Sequence, residues 1–83
     1  MNVSNEELHL LLKELGSRYA IPRKKAVEAL AKIGTPAVIH LIQTLKSGSP
    51  TAQGAAAAAL DRIGTRVAKA AVQHWRDHSG AGV

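Results

Sequence analysis

"ALAKIGTPAVIHLIQTLKS" (residues 29–47) is answered, thirty residues after its first letter, by "ALDRIGTRVAKAAVQHWRD" (residues 59–77). Laid over itself at that shift, the chain pairs Leu11 with Leu41, Leu15 with Leu45, Ala26 with Ala56, Ala29 with Ala59, and Leu30 with Leu60. It goes on to pair Ile33 with Ile63, Gly34 with Gly64 and Thr35 with Thr65, and Lys32 meets Arg62 conservatively. A third copy is fainter: Ala71, Val72, Gln73 and Trp75 fall on Leu41, Ile42, Gln43 and Leu45. Periods of this length mark stacked supersecondary units, each of which buries its apolar face only against a neighbour. Repetition of the core letters is therefore a packing requirement.

Within one period there are two helical patterns. Leu8, Leu11, Leu12 and Leu15 recur at the three-four spacing of one helix face, as do Val38, Leu41, Ile42 and Leu45. Ala26, Ala29, Leu30 and Ile33 form the second pattern, repeated by Ala56, Ala59, Leu60 and Ile63. No stretch alternates with period two, so an all-α fold is expected. With the two helix types written B and A, the order is B-A-B-A-B, a right-handed α-solenoid fragment of about five helices. The expected core is Leu11, Leu12, Leu15, Ala26, Leu30, Ile33, Leu41, Ile42, Leu45, Leu60, Ile63 and Trp75.

Punctuation supports five helices. Ser4 or Asn5 is placed to cap the first, with Glu6 and Glu7 in the turn where the helix dipole favours negative charge, and Gly16 to end it in a left-handed conformation. Pro22 falls in the first turn of the second helix. Gly34 stops that helix, Thr35 caps the third and Pro36 takes its first position; Ser49 and Pro50 do the same for the fourth, and Gly64 and Thr65 for the junction to a fifth that runs to about His78. "GAAAAAL" (residues 54–60) reads as a helix stripped of bulk for close approach by its neighbours. One domain over residues 1–78 is expected, with repeats at about 4–33, 34–63 and a partial 64–78, and residues 79–83 as a flexible tail.

The segment "RKKAVEALAKIGTPAVIHLIQTL" (residues 23–45) resembles the short HEAT-like repeat of about thirty residues found in phycobilisome-lyase-type proteins. That pattern runs Arg-x-x-Ala-x-x-Ala-Leu-x-x-Ile-Gly and is occupied here by Arg23, Ala26, Ala29, Leu30, Ile33 and Gly34. Thr35 and Thr65 stand where such repeats usually carry Asp, and Gln53 where the second copy would carry Arg. The resemblance implies stacked helical hairpins and a protein-interaction module or scaffold. A role as a bilin-lyase-related accessory protein follows from the family name alone.

Composition limits the rest. The 83 residues hold no cysteine, which excludes disulfides and Cys-based metal sites, and a chain this short buries only about 60% of its unfolded surface. Neither a signal peptide nor a membrane span is visible, so a soluble, cytoplasmic protein is expected. Net charge is +5, unevenly spread: residues 1–16 sum to −2 and residues 17–34 to +4. Arg18, Arg23, Lys24 and Lys25 form a basic patch. Lys24 and Lys25 sit early in a helix, against its dipole, which points to an acidic protein or to phosphates; the plainer reading is solvation, with Glu28 offsetting Lys24 and Lys32.

No catalytic constellation is present. The serines fall at turns and caps, the glycines at helix ends, and the two aromatics offer no pair for stacking bases. His74 and His78 share a helix face at a spacing that can hold a metal, but with Asp77 alone beside them surface histidines are the plainer reading. The expectation is no enzyme and no cofactor. On the B helices, the face away from the core carries Lys13, His40, Gln43, Thr44, Gln73 and His74, the candidate contact surface for another protein. Nucleic acid, reached through the basic patch, is the alternative. Leu8, Leu10 and Leu12 have no helix before them to cover their outer side, so a monomer or a weak homo-oligomer through exposed end helices is expected.

Overall fold

The computed structural model describes residues 4–78, which form α1 (Asn5–Glu14), α2 (Ala20–Ile33), α3 (Thr35–Ser47), α4 (Pro50–Ile63) and α5 (Arg66–His78). No strand occurs among the described residues, and the expected tail at 79–83 lies outside them. α1 packs on α2 and α3, α2 on α3 and α4, α3 on α4 and α5, and α4 on α5. The three B helices thus stand side by side against α2 and α4. The shortest dimension of the chain is 18 Å, the depth of two helices.

α3 is the one helix that touches all four others, and its Leu41 is completely buried, as are Leu15, Leu30 and Leu60. Ala26 and Leu45 complete the buried part of the expected core, while Leu11, Leu12, Ile33, Ile42, Ile63 and Trp75 pack against it half-buried. Leu8 is 8% exposed, so it faces into the stack from α1 and the expected bare outer side is confined to other positions; Leu10, at 62%, is one. Small residues make up much of what remains: Ala37, Ala56, Ala59 and Ala68 have no accessible surface. Side chains this short let neighbouring helices approach.

Helix ends follow the expected chemistry in three places and depart from it in two. The hydroxyls of Ser4, Ser49 and Thr65 accept from the backbone N–H of Glu7, Ala52 and Ala68 at 3.1, 3.2 and 3.2 Å, each satisfying an orphan donor. Thr35 does not repeat this. It is the first residue of α3, the cap position belongs to Gly34, and no side chain caps that end. The cause is the glycine: φ 76° with ψ −134° is open to glycine alone and turns the chain one residue early, where the Gly34 carbonyl accepts from Ala37 N at 2.9 Å. Gly64 takes the ordinary left-handed values, φ 70° and ψ 10°.

Gly16 is the second departure, since only Gly34 and Gly64 have positive φ among the described residues. α1 closes instead by tightening: Leu15 N is shared between the Leu11 and Leu12 carbonyls, and Gly16 N donates to Lys13 O at 3.1 Å. Ser47, expected in a turn, ends α3 and returns its hydroxyl to Gln43 O at 3.0 Å. α2 begins at Ala20, so Lys24 and Lys25 lie past its first turn, where the dipole acts weakly; their position needs no partner to explain it on that ground.

Gly54 also corrects the reading of "GAAAAAL". Ala55, Ala56, Ala57 and Ala59 are buried as expected, but Gly54 and Ala58 face solvent, and a Cβ built on Gly54 meets no atom within 4 Å. No neighbour requires a glycine there. Gly54→Ala is therefore expected to raise the unfolding free energy by about 0.8 to 1 kcal/mol, the propensity difference of a helix interior, read as a higher urea midpoint. An unchanged or lower midpoint would show that α4 is not a regular helix at that point.

Candidate functional site

Two depressions carry four of the residues that the sequence singles out: His74 in one, and Arg18, Arg23 and Lys24 in the other. The first is a cleft of about 510 Å³ between α3 and α5. Ile42 and Leu45 line it from α3, Ala71 and Trp75 from α5, and Lys46, His74 and His78 stand around this apolar floor. The Trp75 indole is held from beneath, its Nε1 donating to Gln53 Oε1 at 3.3 Å. Gln53 in turn donates from Nε2 to Gly48 O at 3.0 Å. Arg23, one repeat earlier, does the equivalent thing: its Nη1 donates to Ser17 O at 2.7 Å. At this repeat position a long polar side chain ties the A helix to the turn before it, and Gln53 has carbonyl and N–H enough to hold Trp75 as well.

The six residues expected on the B-helix face do not gather in this cleft. His74 lines it; Lys13 lines a shallow depression along α1 with His9 and Leu10; His40, Gln43, Thr44 and Gln73 line neither. Gln43 and Gln73 are exposed, and the Gln73 amide donates to Asp77 at 3.1 Å. His40 and Thr44 are half-buried, with the Thr44 hydroxyl donating to the His40 carbonyl at 3.1 Å. Thr44 is thus held by the fold. His74 and His78 stack ring on ring, centroids 4.1 Å apart, and His78 Nδ1 lies 2.9 Å from the His74 carbonyl. No group of three or more metal-ligand side chains occurs among the described residues.

The second depression, about 800 Å³, runs between α2 and α4. Arg18, Arg23 and Lys24 reach it from the basic patch, and Lys25, also exposed, does not. Arg62 joins them from α4. The repeat pairs Arg62 with Lys32, which lies outside the groove, so the internal comparison pointed away from it. Lys46 and Trp75 were similarly missed as site residues: Trp75 was assigned wholly to the core because it aligns with Leu45.

A family model for HEAT repeats matches residues 8–83, most of the chain. The chain belongs to the HEAT repeat family. No curated protein and no solved structure matches it. The match is to HEAT repeats in general and does not extend to the phycobilisome-lyase type. HEAT repeats are commonly protein-interaction scaffolds and typically non-enzymatic. In this HEAT repeat chain no described helix is long and apolar enough to cross a membrane. Its one ion pair among the described residues, Arg76 to Asp61 at 3.4 Å, joins α5 to α4 at the surface. Exposed pairs of this kind contribute little to stability.

Proposed function

We propose that this chain is a protein-interaction module, a short cytoplasmic HEAT repeat scaffold that receives a partner protein on its B-helix side. The observation that carries the reading is the α3–α5 cleft: an apolar floor with one fixed aromatic, surrounded by polar and cationic side chains. Concave sites with this composition give affinity through the buried apolar contacts and orientation through the few polar ones. Trp75 is the natural anchor, because large aromatics held in place lose little entropy on binding. Gln43 and Gln73, exposed on the same helices, extend the contact beyond the cleft.

The test is affinity capture from extract of the native host at physiological salt, with the parent chain and with the double variant Lys46→Glu, His74→Glu. Both side chains are exposed, so the fold is retained. A protein partner held by the parent and retained at least tenfold less by the variant supports the cleft. Equal retention moves the contact to another surface, and recovery of nucleic acid without protein replaces the reading altogether.

A further inference from the structure

The α2–α4 groove lies on the other helix layer and has a different chemistry. Arg18 enters from the α1–α2 connection, Arg23 and Lys24 from α2, and Arg62 from α4, so cations remote in sequence meet along one furrow. A single carboxylate, Glu28, lies among them, and none of these five residues forms an ion pair within the described part of the chain. Arg23 is already oriented by its bond to Ser17 O. The floor is shallow and carries little side chain, with Ala55, Ala58 and the bare Cα of Gly54 among its lining. A cation-lined furrow between two adjacent helices has the form that receives the ridge of a third helix.

We propose that this groove is a second docking surface, which takes an acidic amphipathic helix from a partner protein. Charge complementarity selects the acid: carboxylates one turn apart on the incoming helix reach the cations on both banks. The small, apolar floor selects the helix, because it lets a backbone approach closely and covers apolar side chains. Phosphates would leave that floor unused and would meet Glu28 among the cations; the groove also offers no aromatic for a base to stack on. The proposal goes beyond the α3–α5 cleft and does not depend on it. Two surfaces on opposite helix layers would let one short chain hold two partners at once.

Gly54 supplies a clean test, since a Cβ there meets no atom within 4 Å and Gly54 lines the groove, so that a longer side chain takes up space an incoming helix needs. The probes are a fluorescent synthetic peptide with Leu and Glu on one helical face, a peptide of the same composition in scrambled order, and a duplex DNA oligonucleotide, each followed by fluorescence anisotropy at low and physiological salt. The amphipathic peptide is expected to bind, the scrambled one to bind at least tenfold more weakly. Gly54→Leu and Arg62→Glu are each expected to weaken the amphipathic peptide at least tenfold, with no drop in the urea midpoint of Gly54→Leu. Lys46→Glu, His74→Glu is expected to leave this binding unchanged, which separates failure of the groove from failure of the cleft. No peptide binding, equal binding of the scrambled peptide, undiminished binding by the two groove variants, or tighter binding of DNA than of peptide would each overturn the proposal.

Discussion

Leu41→Ala is expected to lower the unfolding free energy by about 2 to 5 kcal/mol, the range for emptying a fully buried leucine site. Leu41 has no accessible surface and lies on α3, the helix in contact with all the others, so no single neighbour can collapse into the space without leaving another. Domains of this size are stable by about 5 to 15 kcal/mol, so the loss is a large fraction of the whole. The equivalent positions one repeat away, Leu11 and Ala71, are only half-buried. Leu11→Ala should consequently cost clearly less in the same urea melts. A Leu41→Ala cost below about 0.5 kcal/mol, the level of a surface substitution, would show that the helix register is wrong.

Gly48→Ala is expected to be the most damaging glycine substitution in an ordinary backbone conformation, costing about 1 to 3 kcal/mol by overpacking. Its φ of −76° and ψ of 167° suit any residue. Space is what forbids a side chain: a Cβ would fall 2.7 Å from the Thr44 carbonyl oxygen, 2.9 Å from Thr44 Cγ2 and 3.2 Å from Ala52 Cβ. Thr44 cannot easily retreat. Its carbonyl accepts from Gly48 N at 2.8 Å to close α3, and its hydroxyl is engaged with His40. Relief therefore means opening the α3–α4 turn, where Gln53 also bonds the Gly48 carbonyl and supports Trp75. Urea melts of Gly48→Ala beside Gly54→Ala check this directly, with opposite signs expected; a neutral Gly48→Ala would mean that the turn is looser than its geometry.

The two glycines also show where a reading of letters runs out. Both stand next to helix-forming sequence, and the letters "GAAAAAL" suggest close helix approach at Gly54 because it opens a run of small residues. Whether a missing Cβ is needed depends on which atoms arrive opposite it, and those belong to Thr44 and Ala52 in one case and to solvent in the other. The basic patch behaves similarly. Arg18, Arg23 and Lys24 were visible as a local run of charge, but Arg62 joins them only because α4 lies alongside α2, and Lys25, adjacent in sequence, points elsewhere on the helix.

By itself the sequence determined the five helices, their repeat and the face each presents to the core, because a three-four apolar spacing, caps and helix stops are local properties that folding has to respect. It also determined repeated core positions, as Leu30 and Leu60 show by being wholly buried in both copies. Only the tertiary structure decided which copy of a repeated position is sealed and which is left half open: Leu41 lies in the middle of the B layer, Leu11 and Ala71 to either side of it. The same holds for Leu45 and Trp75, which line one cleft together, the first buried and the second half-buried. Identical letters have identical local preferences, but burial and clefts arise from the neighbours on each side, and a repeat at the middle of a stack has different neighbours from one beside it.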